Sequence, residues 1–527
     1  MKINIYTLIL VFILLIATIF RFYNLNEPMV WVDEPIYIVG GVKLLLQDRN
    51  FYDPNLWNFE HPYLAKYLIG LTTILAPVNF DPIKQLQPNY YVGLGNPNVA
   101  EAMDASLTFS RYSTAIVGIM LVLVVYLFAK NLYGELGALV SSILAALSID
   151  LLSFSRNAHL DIFLFFFSTL GAYLFYKFVT TEGNRLTLSK TGFKLIVNKR
   201  LIYLISSAVA IGLSLITKTI QPFILFPAFL ILYIIFRQKV TLLEIIIFFL
   251  LSVSIFFIGI GGNLQLYMQA VTYFGGDGTL INFSNIINST RILLRIQPTL
   301  AIIILIALIS FLLKKNFINN ELLVILPALF IILSFILTTN QHYRYFDFSL
   351  SFLIIFSARI FTTRKIVYYT IPLLLLMLYT TVIWMPDYLV YTNTLDELTG
   401  RSYFWSNFGF TGFSESANFL KEKTTQNDLI FSTDDAIRYR LSRNLFVHES
   451  GRNTIYLIDG RFGDLESNVC PTINDMKSIN VTYAVIANPT SLGQEYCSNI
   501  KDYYRTLEPV FVVHKNKVDV MKVFKLV

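Results

Sequence analysis

Long, nearly uncharged apolar runs recur through this chain and constrain its fold more than any other feature. A helix needs roughly 17 to 25 predominantly apolar residues to cross a bilayer. Such runs fall at about 4–20, 113–129, 136–154, 160–179, 201–217, 220–236, 241–261, 298–313, 321–338, 347–361 and 366–385. A chain of 527 residues that is 55% hydrophobic and 14% charged, with a mean hydropathy of +0.59, does not have the make-up of an ordinary soluble domain. The reading is a polytopic α-helical membrane protein with about eleven transmembrane helices. No small-residue cleavage site follows the first run, so it reads as a retained anchor.

Lysine and arginine placement gives the orientation, because short cytoplasmic loops carry an excess of both. With Lys2 inside, the inner loops hold Lys130, then Lys177, Arg185, Lys190, Lys194, Lys199 and Arg200, then Arg237 and Lys239, then Lys314 and Lys315, then Arg364 and Lys365. An odd number of spans puts the N-terminus in the cytoplasm and the C-terminus outside. The N-x-S/T sequons at Asn282, Asn288 and Asn480 all fall in segments this topology places outside. Cys470 and Cys497, both in the outer tail, read as a disulfide, against the alternative of two buried thiols. Most of the net charge of +7 faces anionic headgroups, so membrane lipids account for it and no nucleic acid is needed.

Beyond residue 385 the pattern changes. SESANFLKEK reads as helix, NDLIFSTD as strand, DAIRYRLSRN as helix, VTYAVIANP as strand and the final EPVFVVHKNKVDVMKVFKLV as a hairpin. The expected organisation is a membrane domain over 1–385, including an outer loop with interfacial helices at 21–110, followed by a small soluble extracytoplasmic α/β domain over 386–527.

Candidate chemistry gathers in the first outer loop and at the outer ends of the spans. In VWVDEPIYIVGG, Asp33 and Glu34 precede Pro35, and acids just before a helix-opening proline can simply cap free amides. Helical neighbours point about 100° apart, so the two carboxylates should have different jobs. In EHPYLAKYLIG, a helix opened by Pro62 would set its free amides, His61 and Lys66 around an anion such as a phosphate. A snorkelling lysine and a structural histidine are the alternative. Arg111, Arg156 and Asp161 of SRNAHLD, Lys218 of LITKTIQPF, and Arg344 and Tyr345 of NQHYRYFDF stand at outer span ends, where ionisable groups are functional candidates. Each also reads as an interfacial anchor, and Arg156 with Asp161 as a structural ion pair at a tight hairpin.

DEPIY, HPYLAK, Arg111 with Gly118 seven residues on, SRNAHLD, GLSLITKTIQPFILFP and HYRYFDFSLSF occur in the order of the GT-C glycosyltransferases. The set most resembles the protein O-mannosyltransferase and aminoarabinose transferase group. The resemblance implies a polyprenyl-phosphate sugar donor (dolichyl or undecaprenyl) and an active site facing away from the cytoplasm. It implies Asp33 as catalytic base, Glu34 as its structural or acceptor-positioning neighbour, and Lys66, Arg344 and Tyr345 on the lipid phosphate. Arg111 and Lys218 match family cations, with His61 joining the donor-phosphate set and Arg156 and Asp161 supporting it. Tyr63 departs from the family's second proline, and the tail shows no β-trefoil pattern, which weakens protein as the specific acceptor.

The implied reaction is inverting transfer of a hexosyl or pentosyl group to a hydroxyl of a protein, glycan or lipid. No cofactor is required by this chemistry. Asp33, Glu34, His61 and Asp161 have donors suited to a divalent metal but form no compact ligand pattern. An oligosaccharyltransferase is disfavoured because nothing in the tail resembles its WWDYG signature. A transporter, flippase or lipid-binding receptor is the reading from another class, and it would need polar groups at mid-span depth. The expected location is a multi-pass protein of the plasma membrane.

Overall fold

Asn4 accepts the Tyr6 amide at 3.1 Å and so caps helix α1, Ile5–Phe22. Phe12, Leu15 and Ile19 on this helix are more than half exposed while Ile13, Ala17 and Arg21 are buried. An apolar face left open over eighteen residues suits lipid rather than water. The computed structural model describes residues 4–23, 25–26, 34–46, 62–86, 97–182, 198–218, 221–261, 298–313, 319–336, 344–362, 371–372, 374–378, 413–425, 428–432, 444–448, 455–457, 473–478, 480–487, 507–515 and 518–526, with isolated positions between 264 and 290.

The further helices run α2 Glu34–Leu46, α3 Tyr63–Thr73, α4 Asp81–Lys84, α5 Pro97–Leu147, α6 Ile149–Arg156, α7 Asp161–Thr180, α8 Lys199–Leu215, α9 Leu225–Ile235, α10 Leu242–Gly259, α11 Pro298–Leu313, α12 Leu322–Ile336, α13 Arg344–Asp347, α14 Leu350–Ser357, α15 Phe413–Lys423 and α16 Ile473–Ser478. Among the described residues, Ile5–Phe22, Glu101–Leu147, Asp161–Thr180 and Leu242–Gly259 are each long and apolar enough to cross a membrane, and four shorter apolar helices accompany them. Described helix lies within each of the apolar runs, and of the last run only 371–372 and 374–378 are described. The runs at 113–129 and 136–154 meet at Gly134, whose φ of 81° and ψ of −178° break α5. Glycine alone adopts that backbone readily, which explains the turn between two otherwise continuous apolar stretches.

The chain packs as two units. One comprises 1–23, 49–69 and 112–382, and the other 24–48, 70–111 and 383–527.

In the first unit, small residues let helices touch. A Cβ on Gly171 of α7 would lie 2.6 Å from the Ile211 side chain of α8, and Ser207 donates to the Gly171 carbonyl at 2.7 Å. Ser168 and Ser214 share a hydrogen bond at 2.6 Å. On the opposite side of α8, Gly212 faces Ile255 of α10 and Ser252 donates to Ala208 at 3.0 Å. In lipid, such close contacts and interhelical hydrogen bonds replace the hydrophobic drive that assembles soluble bundles. Helix ends are tied by buried ion pairs. Arg200 in the first turn of α8 donates to both oxygens of Glu244 at 2.5 and 3.0 Å, while Glu244 completes a capping box with Thr241. Arg359 also pairs with Glu321, from Nη1 to Oε2.

In the second unit, α2 passes so near α3's end that a Cβ on Gly70 would fall 2.6 Å from the Gly41 carbonyl carbon. Lys43 of α2 reaches the Leu86 carbonyl. The tail carries strands β1 Leu429–Ser432, β2 Asn444–His448, β3 Ile455–Leu457, β4 Val481–Ala487, β5 Pro509–Lys515 and β6 Val518–Lys525, in the order β3-β2-β1-β4-β6-β5. β1 pairs in parallel with β2 and β4, and the remaining pairings are antiparallel. Phe431, Val481, Ala484, Ile486, Phe524 and Met476 form one buried face. The predicted strands at 427–434 and 481–489 and the terminal hairpin are present; the predicted helix at 435–444 lies outside the described residues apart from Asn444, which opens β2. Cys470, Cys497, Asn282 and Asn288 also lie outside them. Asn480 is exposed at the entry to β4 with a φ of 60°, a left-handed turn that asparagine tolerates.

Candidate active site

The second unit holds the acid segment. Glu34 begins α2 with Pro35 behind it, as the proline-opened helix predicted. Its carboxylate is fully buried, which is costly without a partner. Arg111 of α5 supplies one as a fork, with Nε donating to Oε1 at 2.9 Å and Nη2 to Oε2 at 2.7 Å. The third nitrogen, Nη1, donates to the Leu25 carbonyl at 2.8 Å. One guanidinium therefore ties residue 25 to residue 34, which flank Asp33 in sequence. The planar fork of arginine matches a carboxylate bidentately in a way lysine does not. Asp33 itself, and His61, lie outside the described residues.

The first unit holds a cation-rich corner. Asp161 opens α7, and its Oδ1 receives Lys218 Nζ at 2.5 Å; His159 Nδ1 lies 2.5 Å from Oδ2 and accepts the Asp161 amide at 3.4 Å. All three side chains are buried. Lys218 reaches this place because α8 ends at Leu215 and residues 216–218 turn out of the helix. Leu64 at the start of α3 donates its amide to the Ile216 carbonyl at 3.4 Å and packs on Ile216 and Phe256. Two residues further along α3, Lys66 is buried, so Lys66 and Lys218 each stand two residues from this backbone contact.

The segment 344–351 is bound to the same helix. Asp161, Phe165 and Thr169 recur every four residues and so share one face of α7. Phe348 stacks on Phe165 with ring centroids 5.8 Å apart, and Ser351 bonds Thr169 at 2.8 Å. The short helix α13, which carries Arg344 and Tyr345 in its backbone, directly precedes these contacts in the chain; the side chains of those two residues lie outside the described set.

Arg156 donates from Nη1 to the Phe20 and Tyr23 carbonyls, both at 2.6 Å. Asp161 takes its ion pair from Lys218. Sequence reasoning passed over Arg21 and His159. Arg21 is fully buried in the last turn of α1, and its signal was present as a charge at a span end. His159 sits inside the quoted SRNAHLD stretch but was not singled out. Among the described residues no group of three or more His, Cys, Asp or Glu side chains is arranged to hold a metal. Of the four metal-ligand candidates, Glu34 is forked to Arg111 and Asp161 is bound to Lys218.

A family model described as dolichyl-phosphate-mannose-protein mannosyltransferase matches residues 11–274. No curated protein matches the chain by sequence. The crystal structure of ArnT from Cupriavidus metallidurans in the apo state is similar with a TM-score of 0.54 and 10% identity, over 99% of this chain and 99% of that one. The same protein bound to undecaprenyl phosphate gives 0.49 and 11%, over 98% of each chain. The archaeal oligosaccharyltransferase AglB from Archaeoglobus fulgidus gives 0.46 and 14%, over 92% of this chain and 69% of that one. At such identities the likeness to apo ArnT concerns the fold.

Proposed function

The chain belongs to the dolichyl-phosphate-mannose-protein mannosyltransferase family, and on that premise we propose that it moves one sugar from a polyprenyl phosphate to an acceptor hydroxyl on the outer face of the membrane. The observation that carries this reading is the Arg111 guanidinium, which holds Leu25 and Glu34 together around the segment containing Asp33. A carboxylate needed as a base must be presented in one place, and closing its segment at both ends does that. Glu34, consumed by the fork, is the structural member of the pair. Asp33 is the base.

The step is an inverting single displacement. An acceptor oxygen bonds the anomeric carbon, Asp33 takes the acceptor's proton, and the bond from that carbon to the phosphate oxygen breaks with its electron pair going to the lipid phosphate. On this reading Lys66, Arg344 and Tyr345 are the groups assigned to the growing phosphate charge, in surroundings drier than bulk water. Arg111 holds the acid segment and Lys218 holds Asp161, and both stay in the proposed donor-phosphate set. His61 stays with Lys66 at the helix opening.

About eleven spans, a cytoplasmic N-terminus, an outer soluble domain over 386–527, a Cys470–Cys497 disulfide and a plasma-membrane location complete the proposal. The family's description supports a dolichyl-type donor and mannose as the sugar; the acceptor is a hydroxyl on protein, glycan or lipid. Purified protein incubated with a panel of polyprenyl-phosphate sugars should release lipid phosphate and yield a glycosylated acceptor by mass spectrometry. Absence of release with every donor would overturn the assignment.

A further inference from the structure

Two helices in the first unit end without donors for their last carbonyls, as all helices do. The last carbonyls of α5 include Ala145 and Ala146, and they accept from Arg21 Nη2 at 3.3 Å and Nη1 at 3.4 Å. Those at the end of α1 include Phe20 and the capping residue Tyr23, and they accept from Arg156 at 2.6 Å each. Arg21 belongs to α1 and Arg156 to α6, which follows α5 after Ser148. Arg156 thus completes the end of the helix that carries Arg21, and Arg21 completes the end of the helix that precedes Arg156's own.

The arrangement is specific in shape. A Cβ on Gly118 would meet Ser155 Cβ at 2.5 Å and Arg21 Nε at 2.7 Å, so a glycine is what lets the Arg21 side chain cross α5. Arg21 is wholly buried and Arg156 nearly so, and the two cations repel one another. Cations at helix C-termini gain from the macrodipole, and here two such ends hold two like charges in place.

The consequence lies downstream of Tyr23. Arg156 holds residues 20 and 23, and therefore the exit of the first span. Arg111 separately holds residues 25 and 34, which flank the segment containing Asp33 in sequence. Arg156 is also five residues before Asp161. We propose that the clasp formed by Arg21 on the end of α5 and Arg156 on the end of α1 makes Arg156 a positioning residue for the transfer reaction, setting the exit of the first helix from which the segment bearing the catalytic base departs. This rests on the transferase reading above.

The test uses the full-length protein in nanodiscs, with Arg156→Gln, Arg156→Lys and Arg21→Gln. Amide hydrogen exchange should speed up by about tenfold or more over residues 17–23 in Arg156→Gln and over residues 145–152 in Arg21→Gln, because each variant strips the donors from that helix end, while exchange over Leu242–Gly259 stays unchanged. With dolichyl phosphate mannose as donor, and rates normalised to the monodisperse fraction, kcat should fall by about tenfold or more with donor KM within about twofold, as misplacement predicts. Arg156→Lys, which keeps the charge on a single point, should recover part of the loss. Unchanged exchange in both Gln variants would remove the clasp. Faster exchange with unchanged kcat would leave the clasp but overturn its positioning role. If the unsubstituted protein transfers no sugar from any polyprenyl phosphate, the functional reading fails, and the exchange result still decides whether the clasp fixes the helix end.

Discussion

Arg111 and Glu34 meet as a two-point fork, 2.9 and 2.7 Å at the two carboxylate oxygens, with both side chains wholly buried. They are 77 residues apart in the chain, so the pair closes a long-range contact as well as a short loop. Removing one partner strands a buried charge, whereas removing both does not. Glu34→Gln or Arg111→Met alone should cost about 3–5 kcal/mol. The double substitution should cost clearly less than the sum, and a thermal-unfolding cycle in detergent reads the coupling. Additive losses would mean that the two groups do not depend on one another.

Lys66 is buried at the point where α3 docks on the turn after α8. Its proposed partner is the donor phosphate, and a hydrogen bond to a charged group contributes about 1.5–3 kcal/mol. Lys66→Ala should therefore weaken dolichyl-phosphate binding by about tenfold to a hundredfold, measured by calorimetry or a labelled-lipid displacement assay. Unchanged affinity would make this lysine a structural one.

Gly118 offers a steric prediction. Its Cβ position is already occupied by Ser155 and Arg21, and overpacking a tight contact costs about 1–3 kcal/mol. Gly118→Ala should lower the unfolding temperature. Ser155→Gly in the same chain should restore part of it by removing the contact at 2.5 Å.

Topology gives a prediction independent of chemistry. Single cysteines introduced near residue 280 and in the tail should react with an impermeant thiol reagent added outside, and cysteines at 185–200 should not. Labelling of the 185–200 loop alone would invert the assigned orientation.

The membrane helices were legible because hydrophobic run length is a local property: the run at 298–313 and α11 coincide, and 160–179 differs from α7 by one residue at each end. The proline-opened helices at Glu34 and Tyr63 were legible for a similar reason, since proline fixes φ and lacks a donor the first turn does not use. Partner choice was not local. Nothing near Arg111 in sequence marks Glu34 as its mate, and Arg156 could be read equally well toward nearby Asp161 as toward carbonyls more than 130 residues away. Arg21 escaped notice because its partners are main-chain carbonyls, which every residue has. In the tail, β1, β4 and the hairpin showed by β-branched and aromatic alternation, whereas the three-residue β3 is too short to carry a period.

The central claim is that Asp33 removes the acceptor's proton while Glu34 is structural. Loss of a general base lowers turnover by about 10²–10⁴-fold. The direct measurement is steady-state sugar transfer by Asp33→Asn from the polyprenyl-phosphate sugar the unsubstituted protein uses, together with its affinity for that donor. The account predicts turnover reduced by at least about a hundredfold with donor affinity nearly unchanged. Turnover equal to that of the unsubstituted protein would contradict it.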